Sequence, residues 1–403
     1  MKNRSTNRRQ RRDLVRRATC GACVLALLAA QAAPLAIAGP AEQAKRIYGR
    51  IAGVPPSAQD LNAMVSLINA QPGQPGLVAA AKYATDNAHS FYNVTLKEFV
   101  NPWTNRDQSA FVPLNDYTAT VIGMVRDSVP FNTVLSADVL YTVNASGLPS
   151  PSPSDNDHYA TAEANGVDLF TALQQTTQSS VYGLPVQATA GVWTTRAGAA
   201  AFFVNGTNRA QFRYTMINYL CRDMQTVMDN TRPTDRIRQD VSRSPGGDSR
   251  VFLNNCAGCH SGMDPMAQAY AYYNFDNTAA RLVYTQGQVQ PKYLKNPQNF
   301  AWGFVTPDDT WSNRWRAGPN ADLGWDSGLP GSGEGAKSLG QELESTEAFA
   351  NCQVAKVFKA VCLRMPTSTA DQTTVANIET LFKQSNYDLK QVFQQSAAAC
   401  AGS

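Results

Sequence analysis

The sequence predicts a mostly α-helical protein, because apolar residues recur at helical spacing and helix-capping patterns precede them. Ile47, Ile51 and Val54 share one face of a first helix that begins near residue 41. Ser57 and Asp60 then form a capping-box-like start for a second helix. Cysteine usage adds a further observation, since two cysteines and a histidine stand together in a single short motif near the middle of the chain.

The other helices follow from the same two signals. They are predicted from about residue 77, at about 119–127, within 195–230, after Asp264 with Pro265 at the first helical position, and at about 343–364, 370–383 and 388–399. The helix after Asp264 is expected to carry the aromatic run from Tyr270 to Phe275. Between the helices, 144–157 is predicted as a surface loop and 285–340 as a long irregular region.

The N-terminus has the pattern of an export signal. Eight basic side chains stand within residues 1–17, an apolar run follows to Leu35, and Ala36-Ile37-Ala38 provides small residues for a signal peptidase. A membrane anchor is the alternative, but the run is short and is interrupted by Gln31 and Pro34. We expect residues 1–38 to be removed and the mature protein to have no transmembrane anchor. The Sec and twin-arginine routes both stay open.

The signal segment also accounts for the apparent basicity of the chain. The whole chain has a net charge of +4, and removal of residues 1–38 would leave a mature protein of about −3. No basic stripe interleaved with aromatic residues remains, so nothing indicates a nucleic-acid partner.

The most informative motif is Cys256-Ala257-Gly258-Cys259-His260. This C-x-x-C-H spacing is typical of covalent haem attachment, in which two thiols form thioethers with one haem and the histidine becomes the proximal iron ligand. Half of a zinc site and a redox dithiol are the alternatives. The first lacks a second pair of ligands, and the second lacks a βαβ unit beside it. One such motif predicts one haem c, bound by Cys256, Cys259 and His260.

Four further cysteines of the mature chain are candidates for two disulfides. Cys221, Cys352, Cys362 and Cys400 allow three connectivities. If Cys352 and Cys362 lie on one helix, they are about 15 Å apart and cannot bridge each other. Each would then pair with Cys221 or Cys400. Four buried free thiols are the alternative.

The distal iron ligand decides between functions. Met365 and His158 are the two candidates, and an open iron without a protein ligand is the alternative. A haem ligated on both sides predicts an electron carrier, with redox partner proteins of the bacterial envelope. An open site predicts a haem enzyme of peroxidase or oxygenase type, and a third possibility is an envelope binding protein with a haem relay. No catalytic residue is assigned, and the expected location is the periplasm, the outer surface or the medium.

The stretch Asn254–Asp276 resembles cytochrome-c-like domains of unknown function that are common in planctomycetes and myxobacteria. Those domains have a C-x-x-C-H followed closely by Asp-Pro and Phe-Asp, as this chain has. The segments 218–221 and 243–248 resemble the approach to that motif, and 349–366 resembles a companion C-terminal domain. The resemblance covers roughly 190–400 and implies a mostly helical haem protein without an assigned reaction.

Together these observations predict a mostly α architecture: a multi-helical N-terminal domain, a cytochrome-c-like haem domain with long loops, and a helical C-terminal cap. The predicted boundaries are 1–38 for the signal peptide, 39–143 for the N-terminal domain, 144–194 for a loop-rich linker, 195–342 for the haem domain and 343–403 for the C-terminal domain.

Overall fold

The structure is a computed structural model that describes residues 38–204, 206–241, 248–293 and 303–402. The predicted signal peptide therefore lies outside the described residues, except for Ala38 at its end. The described chain is mostly helical with short sheets only, which confirms the predicted fold class. In these ranges no helix is both long and apolar enough to cross a membrane.

The N-terminal half contains short helices and one small sheet. Its helices are α1 (Pro40–Ala52), α2 (Ala58–Ala70), α3 (Gln74–Asn87), α4 (Leu96–Val100), α5 (Asp116–Arg126), α6 (Asp157–Ala164), α7 (Leu169–Ala172), α8 (Gln178–Tyr182) and α9 (Arg196–Phe202). Strands β1 (Leu140–Val143) and β2 (Leu173–Thr176) pair antiparallel, with Leu140 opposite Thr176.

The C-terminal half contains the longer helices. They are α10 (Arg209–Leu220), α11 (Ser249–Val251), α12 (Ala257–Ala267), α13 (Gly335–Glu344), α14 (Glu347–Cys362), α15 (Thr369–Gln384) and α16 (Leu389–Ala399). Strand β3 (Tyr273–Asp276) pairs antiparallel with β4 (Arg281–Tyr284). Strand β5 (Thr310–Ser312) pairs antiparallel with β6 (Ser332–Glu334). Short 3₁₀ turns connect many of these elements, among them Asn101–Thr104, Met224–Val227 and Arg314–Arg316.

Predicted caps and breaks position the first helices. Helix α1 ends at Gly53, whose φ of 72° places it in the left-handed region that favours glycine. The hydroxyl of Ser57 accepts a hydrogen bond from the backbone N–H of Asp60 at 3.1 Å, so α2 begins where the sequence predicts. Gly73 is the N-cap residue of α3 and Pro75 lies in its first turn, so this helix begins three residues earlier than predicted.

The first and last helices share one core. Helix α16 packs against α3 and α1, and the ring of Phe393 on α16 lies 5.0 Å from that of Phe91. Gln394 also donates a hydrogen bond to the hydroxyl of Thr85 at 2.9 Å. The predicted boundaries at 143 and 343 stay a prediction, but helices from both sides of them bury their apolar faces against each other.

Two predictions around the central motif are wrong. The helix expected to begin after Asp264 begins at Ala257 and includes Asp264 and Pro265 in its interior, because the Asp264 carboxylate binds side chains and does not cap. The aromatic run expected on that helix instead continues into β3. There the buried residues Tyr273 and Phe275 alternate with the less buried Asn274, as in a strand with one covered face.

The predicted helix at 343–364 corresponds to α14, which spans Glu347–Cys362, and α13, which was not predicted, ends just before it. Helix α13 ends at Glu344, and the hydroxyl of Thr346 accepts a hydrogen bond from the N–H of Phe349 at 3.1 Å to start α14. The region 285–340, predicted to be irregular, includes β5, β6 and several 3₁₀ turns within its described part.

Candidate functional site

The candidate site lies where a π turn, Phe252–Cys256, joins helix α12. Such turns are frequent at functional sites. Cys256 is the last residue of the turn, while Cys259 and His260 lie on the first turn of the helix. The backbone therefore brings the three predicted side chains to one end of one helix.

Both thiols of the motif are unpaired and partly exposed. The Sγ of Cys259 lies 3.5 Å from the backbone oxygen of Met224, in the turn that packs beside α12. Burial raises the pKa of the Cys259 thiol, and the nearby carboxylate of Asp223 adds to that shift. Cys259 is therefore a protonated thiol at neutral pH, without the electropositive surroundings that activate a catalytic cysteine.

Two glycines of the motif region allow other segments to approach the helix closely. A Cβ at Gly262 would collide with the indole of Trp315, and a Cβ at Gly258 would lie 2.8 Å from Oδ1 of Asn230. The backbone oxygen of Gly258 also accepts a hydrogen bond from the N–H of Asp229 at 2.9 Å. Segments at 229–230 and 314–316 thus hold the first turns of α12 in place.

His260 has one ring nitrogen engaged and one free. Its Nδ1 lies 3.1 Å from Oδ1 of Asp264, one helical turn further along the same face. Among the described residues its Nε2 has no hydrogen-bond partner, and the side chain is 19% exposed. With Asp264 ionised, Nδ1 carries the proton and donates a hydrogen bond to the carboxylate, so the lone pair resides on Nε2.

Asp264 is a fully buried carboxylate held by two arginines. Arg209 donates to both of its oxygens at 2.8 Å, and the backbone N–H of Arg238 donates to Oδ2 at 3.1 Å. Burial alone would raise the pKa of Asp264. The charges of Arg209 and Arg238, together with the hydrogen bond from His260, instead hold that pKa well below its ordinary value. The carboxylate beside His260 is therefore ionised at neutral pH.

The two arginines differ in their own partners. Arg209 also binds Asp240, so its guanidinium is shared between two carboxylates. Arg238 is buried, and its Nη2 donates to the hydroxyl of Thr207 at 3.0 Å. Its Nε and Nη1 have no hydrogen-bond partner in the described ranges, and burial lowers its pKa.

Sequence reasoning missed this charged network. The i to i+4 spacing of His260 and Asp264 on a helix could have indicated their contact. Arg209, Arg238 and Asp240 come from positions 24 to 55 residues before Asp264, and no local pattern in the sequence joins them to the motif. Of the predicted approach to the motif, 243–247 lies outside the described residues.

The two distal-ligand candidates lie elsewhere in the structure. His158 is buried, and both of its ring nitrogens bind backbone: Nε2 accepts from the N–H of Val143 at 2.9 Å, and Nδ1 lies 2.7 Å from the oxygen of Pro149. Met365 is 54% exposed and lines an open groove that does not include His260. The structure does not bring either side chain together with the motif.

The four remaining cysteines of the described chain form two disulfides, as predicted. Cys221 bridges Cys352 with a Cα–Cα distance of 5.3 Å, and Cys362 bridges Cys400 with one of 5.6 Å. Cys352 and Cys362 do lie on one helix, α14, which leaves this connectivity as one of the two that the sequence allows. Two disulfides fit a protein that folds in an oxidising compartment, either periplasmic or extracellular.

Comparison with known proteins gives no match: no protein-family model, curated protein or solved structure matches the chain. The resemblance of Asn254–Asp276 to cytochrome-c-like domains therefore stays a prediction from the motif. Within the described residues, no group of three or more His, Cys, Asp or Glu side chains could hold a metal ion by itself.

Proposed function

We propose that this protein is an exported monohaem c-type cytochrome that transfers electrons in the bacterial envelope, with redox proteins as its partners. The observation that carries the proposal is the state of the cysteines. Cys256 and Cys259 are unpaired, whereas the other four cysteines of the described chain form disulfides. In an oxidising compartment, two adjacent thiols stay out of disulfide pairing when they serve another bond, and thioethers to haem are such a bond.

The side chains of the site fit the group. Cys256 and Cys259 would hold the haem covalently, and Nε2 of His260 would ligate the iron. When bound, the haem supplies one-electron redox chemistry. Asp264 orients the His260 ring through Nδ1 and fixes the tautomer in which Nε2 is free, which is the usual arrangement around a metal-binding histidine.

A specific observation favours a second candidate, a haem enzyme with an open distal site. His158 would have to break two backbone hydrogen bonds to offer a nitrogen to iron, which costs about 1 to 3 kcal/mol for each polar group left unsatisfied. Met365 is the other candidate, and it lies in a groove apart from the motif.

Export of the full chain in a host with haem-attachment machinery tests the proposal. We expect the intact mass of the purified protein to exceed that of the apoprotein by one haem, and the Cys256→Ser/Cys259→Ser variant to lose this increment. The matched control is Cys362→Ala/Cys400→Ala, which removes two cysteines outside the motif and should keep the haem. An exported, folded protein without covalent haem would contradict the proposal.

Optical spectra with carbon monoxide separate the two candidates. A low-spin reduced spectrum that carbon monoxide leaves unchanged indicates two protein ligands and supports the electron carrier. A high-spin spectrum that shifts with carbon monoxide indicates an open site and supports the enzyme. If Met365 is the distal ligand, Met365→Ala converts the first spectrum into the second.

A further inference from the structure

A groove of about 670 Å³ opens between residues 98–103 and the C-terminal end of α14, and its lining includes no residue of the candidate haem site. Phe99 and Trp103 form one wall, from α4 and the 3₁₀ turn after it. Ala360, Leu363 and Met365 form the other wall, from the end of α14 and the segment after it. The lining is mainly apolar, which is typical of small-molecule sites.

One amine lies at the base of this groove. The Nζ of Lys356 donates to the backbone oxygen of Asn218 at 2.7 Å and lies 3.4 Å from the centre of the Trp103 ring. No carboxylate pairs with it among the described residues. Burial holds the pKa of Lys356 well below its ordinary value. The carbonyl and the ring satisfy the amine, but neither carries a negative charge, so an anion that entered the groove would stabilise the ammonium form of Lys356.

Two residues at the mouth of the groove have an unusual backbone conformation or unusual exposure. Leu363 has a φ of 57°, in the left-handed region where a glycine normally ends a helix, and its side chain is 76% exposed. Met365 beside it is 54% exposed. Non-glycine residues in the left-handed region cluster at active sites and ligand clamps, and neighbouring exposed apolar side chains are typical of ligand-binding grooves.

We propose that this groove binds a small amphipathic carboxylate, with its apolar body between Trp103 and Leu363 and its carboxylate on Lys356. Charge complementarity selects this occupant, because the ammonium form of Lys356 has no carboxylate partner among the described residues and a bound carboxylate would supply one. Exposed Lys359 and Arg364, which is paired with Asp371, are the other cations of the lining, and Glu98 is its acidic residue. This site stands apart from the haem proposal and does not depend on it.

Isothermal titration calorimetry, in which decanoate is added to the purified full chain, tests whether the groove binds a carboxylate. We expect saturable binding with proton uptake, seen as a dependence of the heat on the ionisation enthalpy of the buffer, because the ligand's charge favours the ammonium form of Lys356. Lys356→Met should weaken the affinity by at least about tenfold, since a charge-assisted hydrogen bond is lost.

The matched control is Lys390→Met. Lys390 also donates from Nζ to a backbone oxygen, that of Arg126 at 2.9 Å, but it lies outside the groove. We expect it to bind decanoate like the unaltered protein. Decan-1-ol, which has the same chain without the charge, should bind the unaltered protein at least about tenfold more weakly, and this comparison needs no variant to fold.

Three results would overturn the proposal. They are equal affinities for decanoate and decan-1-ol, a folded Lys356→Met protein with unchanged affinity, and the absence of saturable binding. If decanoate does not bind and sedimentation shows a dimer that Leu363→Asp dissociates, the groove instead belongs to a contact between two copies of the chain.

Discussion

A single buried carboxylate governs the free nitrogen of His260. Asp264 accepts the Nδ1 proton, and an ionised acceptor increases the basicity of the imidazole more than a neutral acceptor does. Arg209 and Arg238 keep that carboxylate ionised although it is fully buried. The network therefore links residues distant in sequence to the properties of Nε2 of His260.

Asp264→Asn is expected to raise the reduction potential of the holoprotein, because a neutral amide accepts a weaker hydrogen bond from His260 and the ligand donates less electron density. The measurement is a spectroelectrochemical titration. Asp240→Asn is the matched control, since it makes the same charge change on a residue that also binds Arg209 but does not contact His260. Equal shifts in both variants would assign the effect to overall charge.

Failure of this prediction is distinguishable from failure of the haem proposal. Absence of covalent haem from the unaltered protein would contradict the haem proposal. If Asp264→Asn keeps the haem and its reduction potential does not change, only the proposed role of the Asp264 carboxylate is wrong.

Glu344 provides a second test at a single residue. It is buried at the end of α13, where it accepts a hydrogen bond from the N–H of Leu135 at 2.8 Å and another from the hydroxyl of Ser136. Burial raises the pKa of Glu344 well above its ordinary value of 4.5. The folded protein therefore keeps a proton that the unfolded chain releases above that value.

The sign of the pH dependence follows from this difference. The free energy of unfolding should fall as the pH rises above 4.5, by at most about 1.4 kcal/mol per pH unit, until the raised pKa is reached. Glu344→Gln should flatten this slope in urea denaturation at several pH values. Exposed Glu347→Gln is the control, and a slope that persists unchanged in Glu344→Gln would refute the assignment.

At the level of elements, helix α12 is held by close backbone approach. Gly262 lies against the indole of Trp315, which is fully buried and packs on Phe212 at a ring distance of 5.8 Å. The atoms that a Cβ at Gly262 would meet belong to the rigid indole ring and not to the end of a flexible side chain. An added methyl group must therefore displace the whole ring.

Gly262→Ala is expected to lower the free energy of unfolding by about 1 to 3 kcal/mol through overpacking. Gly49→Ala on α1 is the control, because a Cβ at that position meets no atom within 4 Å. It should be neutral or stabilise by up to about 1 kcal/mol through helix propensity. Chemical denaturation of both variants gives the comparison, and equal effects would contradict the packing argument.

Elements were predictable from the sequence where local signals decide them. The start of α2 at the Ser57 cap and the start of α15 near Thr369 follow from capping and periodicity. The start of α12 did not, because Asp264 and Pro265 have the local pattern of a cap. Tertiary partners of Asp264 determine the outcome there, and local propensity does not encode them.

The candidate site likewise contains residues that the sequence alone indicates and residues that only the fold brings together. The C-x-x-C-H motif that supports the haem proposal is contiguous, so Cys256, Cys259 and His260 can be singled out from the sequence alone. The arginines around Asp264 and the amine of Lys356 in its groove were not identifiable, because they meet their surroundings only through the folding of distant segments. The disulfides were partly predictable, since helix geometry excluded one connectivity and long-range packing chose between the other two.

At the scale of the whole molecule, the chain ends fold together. Helix α3 presents the small residues Ala80, Ala81 and Ala84, all buried, and α16 packs closely against this helix. The ring of Phe393 on α16 contacts both Phe91 and Phe99, with ring distances of 5.0 and 5.3 Å. The apolar face of the N-terminal helices is therefore covered by a segment from more than 300 residues later in the chain.

This packing predicts that the fragment 39–143 does not fold by itself. Without α16, the faces of α1 and α3 would be exposed to water, and burial of apolar area is the main favourable contribution to folding. We expect the isolated fragment to lack a cooperative transition in thermal or urea denaturation monitored by circular dichroism. The control is the full chain cleaved once in the loop 144–157, whose two pieces should stay associated in gel filtration. A fragment 39–143 that unfolds cooperatively would show instead that the predicted N-terminal domain is independent, and that α16 only docks onto a preformed surface.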